Sequence, residues 1–253
     1  MTLGTDELQR YARHIVLPEI GGAGQQRLAR AHVVVIGAGG IGSPVIQYLA
    51  GAGVGRLTIV DDDRVDLSNL QRQTLFTTGD VGVAKAEAAA ALVARLNPHV
   101  TARAHVVRIG ADNAAALLAG ADVVVDGCDN FATRLLVGDT ALAGRIALVS
   151  AAVGRFEGQV GVFRGWEADR PCYRCFVGDD PQRDGLTCAE DGVLGPVTGI
   201  VGSMAALEAI RQIAPFGEDS AGRLMLLDFL SLRFRTLALP PDPGCRACGS
   251  PGA

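Results

Sequence analysis

The chain has 253 residues, 49% of them hydrophobic, with a formal net charge of −4. That length and apolar content suit one large α/β domain with a well-filled core, and the acidic balance gives no reason to expect a nucleic-acid or anionic-membrane partner. The longest uncharged apolar stretch runs through a glycine-rich turn, which makes it a poor membrane span.

The first residues, Met1 to Glu7, carry neither a basic nor an apolar leader pattern, so a soluble cytoplasmic protein is expected. Thr5 to Arg13 reads as a short helix capped by Thr5 or Asp6. Gly21-Gly22 is expected to break the chain, and Gln25 to Arg30 to form a second short helix. Val33 to Ile36 is a buried strand. It ends in Gly37-Ala38-Gly39-Gly40-Ile41-Gly42, and an apolar helix follows to about Ala52. Arg56 to Val60 is a second strand, ending in Asp61-Asp62-Asp63.

This is a βαβ unit with a Gly-x-Gly-x-x-Gly turn and an acid about 20 residues beyond it. Small residues let the backbone approach a phosphate, and the helix N-terminus offers free N–H groups. Asp61 is suited to two ribose hydroxyls; the plain alternative is a strand-end acid open to solvent.

The polar stretch Arg64 to Gln73 has no strand period and should lie at the carboxyl edge of the sheet. Val83 to Leu96 reads as a helix stopped by Asn97-Pro98, Thr101 to Val107 as a strand, and Asn113 to Leu118 as a short helix. Val123 to Asp126 is a buried strand, Phe131 to Ala143 a helix, and Ala147 to Ala152 another strand. The alternation argues for a Rossmann-like, doubly wound α/β sheet, mostly parallel. Gly154 to Phe163 then reads as strand, turn and strand of antiparallel character. Arg164 to Pro196 is a long irregular segment of the kind that is functional or mobile. Val197 to Ile213 is a strong helix, and Leu224 to Asp228 and Leu232 to Leu239 are closing antiparallel strands before a Pro/Gly/Cys-rich tail.

Four of the 6 cysteines form Cys172-x-x-Cys175 and Cys245-x-x-Cys248. Paired knuckles of this kind are a specific zinc signal, and four thiolates leave no open position, so the zinc is expected to be structural. Two disulfides or a redox pair are the alternatives; a cytoplasmic setting disfavours disulfides. Cys128, at a strand end, reads as a small buried hydrophobe, and Cys188 as a lone loop thiol.

A glycine fingerprint alone points as readily to a nicotinamide or flavin oxidoreductase. No Tyr-x-x-x-Lys pair is present, and the 4 histidines are scattered. Asn69, Arg72 and Lys85 instead provide donors and cations suited to a triphosphate. Of 23 basic residues only Lys85 is a lysine; a lineage bias toward arginine is the plain cause of that scarcity, and under it a surviving lysine points to a position where arginine does not serve, the alternative being a solvated helix lysine.

Further motifs fall in order along nearly the whole chain: Arg10-Tyr11-x-Arg13-His14, the glycine turn, Asp61-x-Asp63, Ser68-Asn69-Leu70-Gln71-Arg72-Gln73, Lys85, Asp126-Gly127-Cys128-Asp129-Asn130, both cysteine knuckles and Thr187-Cys188-Ala189-Glu190. With them the sequence resembles the E1-like enzymes that adenylate sulfur-carrier proteins, the MoeB/ThiF/HesA family, in its short bacterial form without a rhodanese domain. The resemblance implies one adenylation domain over 1–253. Its parts are N-terminal helices (1–30), a nucleotide-binding core (31–163), a crossover loop with one zinc knuckle (164–196), and a C-terminal helix, strands and zinc-binding tail (197–253). It implies ATP-dependent adenylation of the C-terminal glycine of a ubiquitin-like carrier ending in Gly-Gly. The molybdopterin synthase small subunit is favoured over a thiamine-pathway carrier, and a sulfur donor protein is a further partner.

Carried over residue by residue, Gly37, Gly39, Gly40, Gly42, Asp61, Asp63, Asn69, Arg72 and Lys85 would hold ATP. Asp129 would sit near Mg²⁺ and the reacting phosphate; a helix N-cap before Phe131 is the alternative. Arg13 would reach into the partner's site of a homodimer, or else be a plain surface residue. Cys188 would lie over the site, covalently linked to the carrier in some members and dispensable in others; the neighbouring Glu190 and Asp191 would raise its thiol pKa, which weakens a nucleophilic role.

Overall fold

The computed structural model describes residues 3–179 and 192–249. In chain order the helices are α1 (Thr5–Arg10), α2 (Ala12–Ile15), α3 (Gly21–Arg30), α4 (Gly42–Ala52), α5 (Lys85–Leu96), α6 (Ala114–Leu118), α7 (Phe131–Gly144), α8 (Tyr173–Val177) and α9 (Gly195–Ile213). The strands are β1 (His32–Ile36), β2 (Arg56–Val60), β3 (Thr101–His105), β4 (Val123–Asp126), β5 (Ala147–Val153), β6 (Glu157–Phe163), β7 (Arg223–Asp228) and β8 (Arg233–Ala238).

These strands form one sheet in the order β3-β2-β1-β4-β5-β6-β7-β8. The first five are parallel and the last three are added antiparallel, as the strand–helix alternation and its end after Gly154 suggest. The chain runs outward from β1 through β2 to β3, then returns to place β4 on the other side of β1. That reversal opens a crevice beyond the carboxyl ends of β1 and β4, where such sheets bind ligands.

Alternation along β1 divides the core. Val33 and Val35 face one layer with Leu57, Val149 and Val201; Val34 and Ile36 face the other with Val60, Val124 and Val137. Both faces are dry because helices cover both, which is why the central strands are runs of valine and isoleucine.

Several boundaries differ from the sequence reading. The expected helix Thr5 to Arg13 breaks at Tyr11, whose buried ring reaches inward so that its hydroxyl accepts from Asn97 Nδ2 at 2.8 Å. Gly21-Gly22 starts α3 instead of breaking the chain, with Gly21 at φ 57°. Lys85 begins α5, because Ala84 is extended and bridges to Arg64. Gly154 to Phe163 contains one strand, β6, and the turn that leads into it from β5. The irregular segment after Arg164 contains α8, and α9 starts at Gly195.

Candidate nucleotide and metal sites

The glycine turn sits at the crevice. Gly37 has φ 87°, a conformation that favours glycine, and a Cβ on Gly42 would lie 1.9 Å from the Gly37 carbonyl oxygen. Gly42 thus lets helix α4 close onto β1. It does not itself line the cavity, whereas Gly37, Gly39 and Gly40 do.

That cavity has a volume of about 1350 Å³. Asp61, Asp63, Asn69, Arg72, Lys85 and Asp129 all line it, so six expected side chains from four separate stretches of chain converge. It continues past β5 to Gln159, Leu226 and Arg235 on the antiparallel strands. It is larger than pockets built for one small ligand, which run to about 1,000 Å³.

Asp61 follows β2 and turns its carboxylate toward the glycine loop. Oδ2 accepts from the Ala38 N–H at 2.7 Å and Oδ1 from the Asp63 N–H at 2.8 Å. Burial pushes its pKa up, against the pull of the Ala38 bond and the Lys85 charge. Lys85 is only 5% exposed, so the picture of a solvated helix lysine fails. Its Nζ meets Asp63 Oδ2 at 2.7 Å.

Asn69 closes a short 3₁₀ turn, Leu67–Asn69, capped by the Asp66 carboxylate, which accepts from Ser68 N at 2.8 Å. The next turn accepts Arg72 N and Gln73 N on the Asn69 carbonyl, bringing Arg72 to the cavity. Gln73, unremarked in the sequence reading except within its motif, is 4% exposed and lines the wall, and its Oε1 lacks a hydrogen-bond partner.

Asp129 is exposed to the cavity and does not cap α7. Asn130 does, its side chain accepting from Thr133 N at 2.9 Å. Cys128 is not the fully buried hydrophobe expected. It lines the cavity, and its thiol donates to Asp126 Oδ1 at 2.7 Å. Burial and the adjacent carboxylate both push that thiol pKa up. Arg13 is exposed on α2 and is not among the residues lining its own chain's cavity. Cys188 lies outside the described residues.

The sequence reading missed Arg134 in the floor of the cavity, with its side chain 7% exposed against a fully buried Asp126. An arginine in the first turn of a helix carries no local signal that it will be buried.

The two cysteine pairs meet beside α8, whose Tyr173 and Arg174 pack on Gly138 and Asp139 of α7. Sγ of Cys172 lies 3.8 Å from that of Cys175 and 3.5 Å from that of Cys245, and Cys175 lies 3.4 Å from Cys248. All four sulfurs fall within 4.8 Å of one another. A tetrahedron with Zn–S near 2.3 Å needs sulfurs about 3.8 Å apart. Each knuckle also carries an arginine on Asp179: Arg174 Nη1 at 3.4 Å and Arg246 Nε at 3.1 Å.

A doubly wound sheet with a glycine turn and phosphate-suited cations at its switch point defines a nucleotide-binding α/β protein. The chain belongs to the ThiF family, whose model matches residues 11–247. It is 45% identical over 255 residues to the SAMP-activating enzyme E1 of Haloferax volcanii, spanning 100% of this chain and 93% of that protein. It is 46% identical to the sulfur carrier protein adenylyltransferase of Thermus thermophilus (96% of this chain, 92% of that protein). It is 41% identical to the molybdopterin-synthase adenylyltransferase of Salmonella typhimurium, covering 98% of each. The crystal structure of E. coli MccB with ATP shares the fold at TM-score 0.82 and 23% identity, over 95% of this chain and 75% of that one. No described helix is long and apolar enough to cross a membrane.

Proposed function

We propose that the chain is an adenylyltransferase that uses ATP to activate the C-terminal glycine of a ubiquitin-like sulfur carrier. The observation that carries the reading is the convergence of Asp61, Asn69, Arg72, Lys85 and Asp129 on one cavity that extends beyond the nucleotide crevice along the antiparallel strands. The printed functions of the relatives, adenylyltransferases for sulfur carriers and for molybdopterin synthase, point the same way.

A carboxylate oxygen of the terminal glycine attacks the α-phosphorus, the bond from that phosphorus to pyrophosphate breaks, and an acyl adenylate remains. The attacking group is already ionised at neutral pH, so no general base is required. What the protein must do is align three charged groups and stabilise the phosphates. Gly37, Gly39 and Gly40 would admit the phosphates to the backbone, and Asp61 would accept from the ribose. Arg72, Lys85 and Asn69 would face the phosphates. The orphaned Gln73 Oε1 supports a ligand at this wall. Asp129 would help hold a Mg²⁺ ion, which when bound offsets phosphate charge.

The cavity beyond β5 offers room for an extended Gly-Gly tail. The four convergent thiols fit a structural zinc that ties the tail segment to α8. Arg13, exposed and away from its own cavity, fits a homodimer in which it completes the neighbouring site. The carrier is the molybdopterin synthase small subunit or its thiamine-pathway counterpart, the former favoured.

The test is exchange of labelled pyrophosphate into ATP, dependent on a carrier ending in Gly-Gly. Exchange is expected with the molybdopterin-type carrier. Its absence with both carrier types refutes the reading, and NADH binding without ATP binding would favour an oxidoreductase.

A further inference from the structure

The floor of the cavity is held by a buried charge pair that the adenylation chemistry does not itself use. Asp126 is the last residue of β4, in register with Ile36 of β1 and Ser150 of β5. Arg134 reaches back from the first turns of α7. Its guanidinium donates to Asp126 Oδ2 at 3.5 Å, to Ser150 Oγ at 3.2 Å, to the Ala151 carbonyl at 2.9 Å, and to the Cys128 carbonyl. Asp126 also receives the Cys128 N–H at 3.1 Å. Both the amide and the carbonyl of Cys128, the residue before Asp129, are therefore gripped by one ion pair.

Tyr173 closes the other side. It comes from the first zinc knuckle, and its phenol faces Arg134 and Ser150 without completing a hydrogen bond of its own. Its ring meets Phe163 edge-on at 5.4 Å, and a Cβ on Gly138 of α7 would come within 3.0 Å of the Tyr173 Cβ.

Burying two charges costs several kcal/mol per ion before they attract each other, and an apolar pair of equal volume is often no less stable. An apolar side chain could fill this space but could not hold two carbonyls and a carboxylate in fixed directions. Both terminal nitrogens of the guanidinium are committed to these protein acceptors. Its effect falls on the turn 127–130.

We propose that Arg134 is a positioning residue for adenylation: anchored by Asp126, it fixes the Cys128 carbonyl and thereby aims Asp129 into the cavity. The inference rests on reading the cavity as an adenylation site.

The test is Arg134→Lys in the full chain, which keeps the charge and removes the fork. The kcat of ATP–pyrophosphate exchange should fall about 100-fold, the scale of an ångström-size misplacement, while KM for ATP stays within about threefold. The Mg²⁺ concentration for half-maximal rate should rise. Added to Asp129→Ala, the substitution should cost nothing further. Deuterium exchange at the Gly127 and Cys128 amides should speed up about tenfold.

Wild-type kcat, a full multiplicative loss on top of Asp129→Ala, or unchanged amide protection would each overturn the proposal. If the wild-type chain shows no exchange with any carrier, the adenylation reading fails, and amide protection alone decides on Arg134. If the lysine variant does not fold, Ser150→Ala removes one Arg134 partner, and the same pattern is expected at about fivefold in kcat; no change there overturns the proposal as well.

Discussion

Lys85 is buried at the start of α5, yet its Nζ lies 2.7 Å from Oδ2 of an Asp63 side chain that is 67% exposed. The ammonium is thus desolvated in advance, while its partner can turn to water. Phosphate oxygens can replace Asp63 at no new desolvation cost to the lysine. Lys85→Ala and Arg72→Ala are each expected to lower pyrophosphate exchange at least about 100-fold, with zinc content and circular dichroism unchanged. Lys85→Arg should not restore the rate, because the planar fork does not fit where a compact ammonium is enclosed. Near-normal exchange in any of these variants would remove that residue from the phosphate site.

Asp61 leads to a pH-dependent prediction. Burial raises its pKa above the ordinary 3.8. Between the ordinary and the raised value the folded chain binds more protons than the unfolded chain, so stability falls as pH rises through that window. The contribution is complete below the unfolded pKa and lost above the folded one. Melting temperatures of Asp61→Asn should show less of this decline than wild type, in buffers from about pH 4 upward. The same variant should raise KM for ATP about 10- to 100-fold through lost bonds to the ribose. Parallel melting curves would show that Asp61 carries no such penalty.

The two cysteine knuckles, read as a zinc site, predict a coupled loss. Cys172→Ser, or a strong chelator, should remove about one zinc per chain and lower the melting temperature by more than about 5 °C. The pair of arginines on Asp179 should loosen with it, because Arg174 and Arg246 each lie between two ligands of a knuckle. Elemental analysis and calorimetry check the two parts. A chain that keeps its melting temperature after losing its metal would show the thiols to be stable alone.

Arg13 can be tested by complementation. Inactive Arg13→Ala and Asp129→Ala chains, mixed in equal amounts and allowed to exchange subunits, should regain activity in about a quarter of sites. Half the dimers are then mixed, and one of the two composite sites in each is intact. No recovery, in a sample shown to have exchanged subunits, would mean that Arg13 acts within its own chain or not at all.

The nucleotide half of the fold was legible because its signals are local. A valine run, a glycine turn and a strand-end acid lie within residues 33–61 and report their own burial and backbone shape. The cysteine knuckles were legible for the same reason: each is one tight turn with two ligands. The break at Tyr11 was not, since it depends on Asn97, 86 residues away. Nor was the capping of α7 by Asn130 in place of Asp129, where either side chain could have served.

The sequence by itself therefore determined the βαβ cradle, the paired thiols and the set of phosphate-suited side chains, since each is a matter of neighbours within a few residues. Only the tertiary structure decided that the knuckles, 73 residues apart, bring their sulfurs within contact. It alone decided that Lys85 is buried against Asp63, that Cys128 faces the cavity, and that Arg134 sits beneath it on Asp126. Charges paired across distant strands and helices leave no periodicity in the chain, and their burial follows from packing that no local pattern encodes.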